Sequence, residues 1–564
     1  MTHSLAPVEL LFRNAQASPD KIWLRQPQNS DESSGTGSEE NGGESTFTWQ
    51  EAATEVGKLA AALRALNLPK GSCVAISGRN TAHWFMADMA ISLSGHISVG
   101  LYPKQAAEAS RYILQHSHCR VVFVGPASDA GELRAQIPEG VLSVAMPFAD
   151  VPACDITWKS FIDEHEPITA SEPPAPDDLM TLVYTSGTTG KPKGVMITYR
   201  NIAFAAEGFL HYFPASTDER LFSYLPLAHL FERCAVELAS LHFCAEVYFL
   251  EAIENLAQKL PLVMPTRFYA VPLVYGRMQA GITERIPEHR LRLLLGIPFL
   301  GQRLRKKLRA TLGLANARAC ISGAAPLPAE TQRFFQDILG ITLLEGYGMT
   351  ENTAYLSASL PGEFKDKAVG RPFLDARVRL ADDGEIQCRH PGCSPGYYKD
   401  AEKTRELYTA DGYLRTGDKG RIDEEGYLYI TGRIKDIFKT AKGKYVAPAP
   451  IEGAMVQCPV VEQACLVGAQ LVQPLMLVTL GEKGKQLDRA QLQEQLTTAL
   501  AKINRSLEAH EKVAKLVVVS DDWLPDNGFM TPTMKVKRNI VETCYRENIV
   551  AASKGSRDTL ICWQ

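Results

Sequence analysis

Hydrophobic positions recur at helical spacing early in the chain: Ala52, Val56, Leu59, Ala60, Leu63 and Leu66 predict an amphipathic helix. Pro69 and Gly71 punctuate it, and CVAIS (73–77) reads as a short buried strand. Helical patterns around 81–93 and 105–116 and a strand over 120–125 follow, then strands at 179–186, 220–226 and 317–323. Strands alternating with helices predict an α/β domain with a substantially parallel sheet. Around 370–430 the texture changes to short strands between Gly and Asp turns, which predicts a β-rich subdomain. After Arg433 the pattern is that of a smaller α+β unit, with strands near 462–467, 475–480 and 515–519 and a helix near 488–504. The fold class is therefore α/β, divided into a large N-terminal domain (1–434) and a small C-terminal one (435–564). Residues 28–45 stand apart: they carry acids, no base and almost no apolar group. Such a stretch cannot bury enough surface to offset its ordering entropy, so it reads as a mobile surface loop.

Composition narrows the class without naming a function. Of 564 residues, 45% are hydrophobic and 22% charged, which excludes a disordered, collagen-like or disulfide-scaffold chain. Sixty Lys and Arg against 64 Asp and Glu give a formal charge of -4, which argues against a globally basic nucleic-acid binder. The 12 cysteines are scattered. Cys388 and Cys393 have no matching second pair to complete a zinc site, so the cysteines read as small buried hydrophobes in a reducing compartment. The N-terminus lacks a basic segment followed by an apolar run, and nowhere do 18 consecutive apolar residues occur. A cytoplasmic protein is expected.

The strongest chemical signal is YTSGTTGKPKG (184–194), a strand running into a loop dense in Gly and small hydroxyl residues. Glycines allow backbone N–H groups to turn toward an anion, Ser186, Thr188 and Thr189 add hydroxyl donors, and Lys191 and Lys193 add positive charge. The spacing is not that of the P-loop nucleotide triphosphatases, because Pro192 and Lys193 occupy the wrong places.

This loop resembles the phosphate-binding signature of the adenylate-forming superfamily, which includes acyl-CoA synthetases, luciferases and peptide-synthetase adenylation domains. Further motifs follow in that family's order. LPLAHLFER (225–233) resembles its fourth core motif in the long-chain acyl-CoA synthetase form. SGAAP (322–326) and EGYGMTEN (345–352) resemble the adenine-pocket motifs. YLRTGD (413–418) and GRIKD (432–436) resemble the ribose and hinge motifs, and PTMKVKR (532–538) the terminal lysine motif. Two departures concern the subfamily: Ala228 stands where many relatives carry an aromatic residue, and Gly432-Arg433 where long-chain members carry Asp-Arg.

The resemblance implies a large adenylate-forming domain with a mobile C-terminal lid, and a role for each matched residue. Thr185, Ser186, Gly187, Thr188, Thr189, Gly190 and Lys193 would hold the ATP phosphates. Gly323, Ala324, Glu345, Gly346, Tyr347, Gly348 and Thr350 would form the adenine pocket, with Tyr347 offering a stacking face. Asp418 would accept hydrogen bonds from the ribose hydroxyls, with Arg433 beside it. Glu351, with Thr189 as a weaker candidate, would hold Mg2+, a hard cation that prefers oxygen donors. His229 would lie near the acyl carboxylate. Lys535 would stabilise charge developing at the α-phosphate, and Lys435 would be the hinge pivot.

The activity so implied is an ATP-dependent fatty acid–CoA ligase acting through an acyl adenylate, with ATP, Mg2+ and coenzyme A as cofactors or co-substrates. Two alternatives are a fatty acyl-AMP ligase loading a carrier protein and an inactive membrane or protein adaptor. A fatty acid is expected because motif four lacks the aspartate with which amino-acid-activating relatives pair the α-amino group. Separately, the segment 285–309 places LRLLLGIPFL between Arg290 and Arg303, Arg305, Lys306, Lys307 and Arg309. Basic charge flanking apolar surface suits peripheral contact with anionic lipid.

Overall fold

The computed structural model describes residues 6–27, 43–170, 172–185, 191–214, 216, 218–363, 365–373, 375–531, 535–556 and 559–563. Its largest sheet has seven strands in the order Ile156–Thr157, Leu142–Ala145, Val121–Val124, Cys73–Ser77, Ile97–Gly100, Leu179–Thr185 and Lys193–Thr198. All pairs are parallel except the last. The alternating helices read from the sequence are present: Trp49–Ala65 starts with a capping box in which Thr48 and Glu51 each accept the other's backbone N–H (3.2 and 2.8 Å). Ala82–Leu93 and Ala107–Ser117 follow. Strands such as Cys73–Ser77 and Val121–Val124 are wholly buried, as expected for a parallel sheet covered on both faces.

Two further sheets complete the α/β part. One runs Arg220–Ser223, Glu246–Phe249, Ile22–Pro27, Glu44–Thr48. The other holds three parallel strands, Arg267–Ala270, Ala319–Ser322 and Leu343–Tyr347, extended by Ser357–Ala358 and Arg371–Pro372. The expected loop over 28–45 is corrected at its end: Glu44 and Ser45 begin the strand Glu44–Thr48, which pairs antiparallel with Ile22–Pro27. The remainder of that stretch, 28–42, lies outside the described residues.

The β-rich region is a four-stranded antiparallel sheet of Arg377–Leu380, Glu385–Arg389, Leu414–Ile422 and Leu428–Arg433, interrupted by the helix Ala401–Leu407. A separate sheet of Val461–Val467, Leu475–Leu480, Lys515–Val518 and Ile561–Trp563, packed on the helix Arg489–Arg505, has its own apolar core. Among the described residues three side-chain ion pairs join this smaller domain to the larger: Arg277–Glu462 and Lys502–Glu330 at 2.8 Å, and Lys483–Glu284. No described helix is long and apolar enough to cross a membrane.

Candidate active site

A cleft forms where loops leave the C-terminal ends of parallel strands, the place where open α/β sheets bind ligands. The antiparallel pairing of Leu179–Thr185 with Lys193–Thr198 sets Thr185 opposite Lys193 at the edge of the seven-stranded sheet. Tyr184 lies flat across Gly194, where a Cβ would come within 3.0 Å of the ring. Ser186, Gly187, Thr188, Thr189 and Gly190 lie outside the described residues.

Two neighbouring strands of the five-stranded sheet supply the next wall. Ser322 pairs with Glu345, which sets Gly323 near Gly346. Ala324 takes a left-handed conformation (φ 68°), and Gly348 packs so closely on Ala354 that a Cβ would meet its backbone at 2.4 Å. Glu345 is buried, accepts the Leu327 N–H (3.0 Å), and is pushed up to about 7 by burial. Tyr347 donates its hydroxyl to Asp418 Oδ2 (2.8 Å), and Arg433 Nε donates to Oδ1 (3.0 Å). That grouping follows from register: Asp418 and Arg433 face each other across the antiparallel ladder. Asp418 is thus fixed on both oxygens in a buried position. Burial, together with the Asp418 charge, holds the Tyr347 phenol far above its ordinary range, so it remains a donor.

Glu351 lies in the short 3₁₀ turn Thr350–Asn352. Tyr397 donates its hydroxyl to Glu351 Oε1 (2.7 Å), and no described residue donates to the other oxygen. The segment carrying Tyr397 runs beside Lys193–Thr198, with Met196 N–H donating to the Gly396 carbonyl and Tyr398 N–H to that of Gly194. Lys193 Nζ sits 4.9 Å from the centre of the Tyr397 ring. A hard cation fits this arrangement, because one carboxylate oxygen is anchored and the other is not.

Motif four packs where the backbone has room: a Cβ on Gly100 would stand 2.9 Å from Ala228 Cα. His229 caps the following turn, its Nδ1 accepting the Phe231 N–H (3.3 Å), and burial, with the nearby Lys535 charge, lowers it to about 4. Glu232 and Arg233 instead face the core. Arg233 donates to Asp88 (2.5 Å), Thr181 (2.7 Å) and Ser98 (3.2 Å).

From the smaller domain, Lys535 enters the same cleft. Its backbone is tied to Thr531 by hydrogen bonds in both directions. The side chain remains accessible to the solvent of the cleft while protein surrounds it, so burial and the Arg433 charge lower its pKa, opposed by Asp418, Glu351 and Asp436. The structure thus gathers Tyr347, Glu351, Asp418, Arg433, His229 and Lys535 around one space. Lys435 is not among them: it is exposed on the link to the smaller domain, within the turn in which Asp436 N–H donates to the Arg433 carbonyl.

Beneath this polar rim lies a cavity of roughly 870 Å³, part of it open to solvent. Gly346 and Thr353 border it on the nucleotide side, Ala206 and Phe209 come from the helix Tyr199–Tyr212, and Cys234 and Leu238 from a π-helical turn, Arg233–Leu238. The wider π turn lets the same six residues line the cavity and bury Arg233 and Glu237 in the core. Its one imidazole, His242, is lowered to about 4 by burial, so the lining is uncharged at neutral pH. Neither the cavity nor Tyr397 was identified from sequence. The cavity residues are scattered apolar positions with no common pattern, whereas Gly396-Tyr397 stood in a segment read only as β-rich texture.

A sequence model described as "AMP-binding enzyme" matches residues 11–398, and one described as "AMP-binding enzyme C-terminal domain" matches 435–556. The chain belongs to the AMP-binding enzyme family. This AMP-binding enzyme is 32% identical over 553 residues to "Long-chain-fatty-acid--CoA ligase FadD15" of Mycobacterium tuberculosis, covering 89% of this chain and 92% of that one. It is 29% identical to "Long-chain-fatty-acid--CoA ligase ACSBG2" of Gallus gallus, over 84% of this chain and 73% of the relative. Its fold is that of the adenylation domain of a Mycobacterium chelonae carboxylate reductase (TM-score 0.81, 21% identity, 98% of this chain and 92% of the other). It is likewise that of the anthranilate CoA ligase AuaEII (TM-score 0.78, 21% identity, 98% and 99%).

Proposed function

We propose that this AMP-binding enzyme is a fatty acid–CoA ligase. The observation that carries the proposal is the apolar cavity opening from the Gly346 side of the cleft, where an acyl chain can lie with its carboxylate at the polar rim. Each methylene so buried adds about 0.8 kcal/mol, a gain that acetate cannot collect. The names of the relatives at about 30% identity support the same substrate class.

In the first half-reaction a carboxylate oxygen attacks the α-phosphorus of ATP, forming the acyl adenylate as the bond to pyrophosphate breaks. Asp418 accepts from the ribose hydroxyls, Tyr347 and the Gly323–Gly346 floor receive the adenine, and Thr185 and Lys193 face the phosphates. Glu351 would hold Mg2+, which when bound neutralises phosphate charge. Lys535 contributes its ammonium where negative charge accumulates. His229, neutral at pH 7, sits beside the carboxylate without adding charge. In the second half the thiol sulfur of coenzyme A attacks the acyl carbon, the bond to AMP breaks and the thiol proton is released. We place the junction of the domains at 434/435, with Lys435 as the pivot that withdraws Lys535 between the halves.

The test is coenzyme A-dependent AMP formation across acids from acetate to long fatty acids. Higher kcat/KM for acetate or an aromatic acid than for any fatty acid would overturn the substrate class, and thioester formation only on a carrier protein would overturn the acceptor.

We also infer that the surface over 285–309 docks on anionic lipid. It folds as two helices, Glu288–Leu295 and Leu300–Thr311, that leave Leu293 (72%), Ile297, Phe299 (81%) and Leu300 exposed beside Arg303, Lys306 and Lys307. Arg305 and Arg309 are instead occupied with the carbonyls of residues 337–340. Sedimentation with phosphatidylserine-containing vesicles should fall for Phe299→Asp and for Lys306→Gln/Lys307→Gln. Unchanged binding in both would remove the idea.

A further inference from the structure

Beside the turn that carries Glu351, two thiols and an imidazole converge. Cys388 is the penultimate residue of the strand Glu385–Arg389, His390 follows the strand, and Cys393 lies in the turn after it. One ligand atom from each lies within 4.8 Å of the other two. Cys388 is fully buried and Cys393 half-buried, so the cluster is closed toward the core and open on one side. The imidazole is held in place: His390 stacks on Phe204 (centroids 5.3 Å, 20° between planes), and its Nδ1 accepts the Gly392 N–H (3.1 Å). His390 is 7% exposed, yet among the described residues its buried Nε2 has no hydrogen-bond partner. A buried polar atom left unpaired in so ordered a setting calls for an explanation.

We propose that Cys388, His390 and Cys393 form a three-ligand site for a thiophilic divalent ion of the zinc type. Two sulfurs and one imidazole nitrogen are the donor set that selects such an ion over Mg2+. Tetrahedral bonds of about 2.0–2.3 Å put neighbouring ligand atoms roughly 3.5–3.8 Å apart, so from separations within 4.8 Å the cluster needs to contract by no more than about 1.3 Å. The half-exposed side at Cys393 leaves the fourth position to water. Asn352 already directs its side-chain N–H at Cys388 Sγ (3.8 Å), the kind of outer contact that supports a metal-bound thiolate.

The placement gives the ion a structural task. Thr353 donates its hydroxyl to the Gly392 carbonyl (2.7 Å), and the Ser394 N–H donates to the Glu351 carbonyl (2.8 Å). Three residues after Ser394, Tyr397 donates its hydroxyl to the Glu351 carboxylate. A metal joining 388, 390 and 393 would therefore pin the turn from which Glu351 is supported, while contributing nothing to the reacting atoms.

The experiment is zinc uptake by the full chain purified under reducing conditions. The chain is incubated with Zn2+, separated from free ion and assayed by elemental analysis, with Co2+ as a spectroscopic stand-in. One equivalent of zinc, and sulfur-to-cobalt charge-transfer absorption with the d–d bands of a four-coordinate ion, are expected for the wild type. Cys393→Ser and His390→Gln should each weaken binding at least tenfold and change the cobalt spectrum. Both positions are chosen over Cys388, whose replacement in the core endangers folding, and the thermal transition without zinc certifies each variant as folded. Zinc should raise the transition temperature of the wild type and of neither variant. Substoichiometric zinc in the wild type, full retention in both variants, or a mass lower by two hydrogens that reports a Cys388–Cys393 disulfide in place of metal would overturn the site.

Discussion

The rim of the cleft and the cavity beneath it are built on opposite principles. At the rim, Asp418 and Glu351 each accept a specific hydrogen bond from a tyrosine distant in sequence, Tyr347 and Tyr397, and Lys535 arrives from the other domain. The cavity below has almost no such bonds: its wall is apolar surface from a helix, a π turn and strand ends, interchangeable in chemistry and specific only in shape. A charged group cannot be shifted without losing its partner, whereas a cavity wall can be repacked at small cost. Nucleotide chemistry should therefore be sensitive to single atoms, and acyl preference to volume.

The largest expected effect lies at the rim. Lys535→Ala should slow pyrophosphate release on adenylation by ~100-fold or more, as removal of one preorganised donor does. Thioester formation from supplied acyl-AMP should be largely spared; equal loss in both halves would make Lys535 a structural residue. In the cavity, Ala206→Phe should shorten the accepted chain. If the ring displaces about four methylenes, roughly 3 kcal/mol is lost, a 100-fold fall in kcat/KM for long acids with little change for butyrate. A uniform loss across chain lengths would show that the cavity does not hold the chain. Tyr397→Phe removes one hydrogen bond to a carboxylate, of about 1.5–3 kcal/mol, and should raise the KM for MgATP about tenfold while sparing acyl-chain preference.

The smallest effect concerns Glu345, on the seam between the two regions. Its folded pKa, about 7, exceeds the ordinary carboxylate value of 4.5, so its contribution to stability is full below pH 4.5 and is lost as pH rises through 7. Glu345→Gln should therefore gain stability relative to wild type between pH 5 and pH 8, read from paired thermal melts. His229 and His242, both lowered to about 4, act in the opposite sense: their contribution is lost as pH falls from about 6.5 through 4.

How much could be read from the chain follows the same division. The parallel strands were legible because a run such as CVAIS is apolar throughout, and the helices because Ala52, Val56, Leu59 and Leu63 keep to one face. Rim residues were legible because each sits in a short contiguous motif. The cavity was not, since Ala206, Leu238 and Gly346 meet only after three elements pack. The strand at Glu44 was obscured by the polar stretch before it, and its partner Ile22–Pro27 lies across that stretch. Cys388 and Cys393 do not match a four-cysteine zinc pattern, and a ligand set completed by the intervening His390 has no such pattern in sequence. The proposed junction at 434/435 rests on a change of texture that coincides with the start of the second family match.

The three ion pairs between the domains have a consequence for time rather than position. Arg277–Glu462, Lys483–Glu284 and Lys502–Glu330 are each largely exposed at both ends, so each is worth about 0–1 kcal/mol and is screened by salt. Contacts of this kind form and break readily, so added salt should shorten the time the smaller domain stays docked on the larger one. Ionic strength then becomes a clock setting, altering how long Lys535 stays without altering any atom that Lys535 touches.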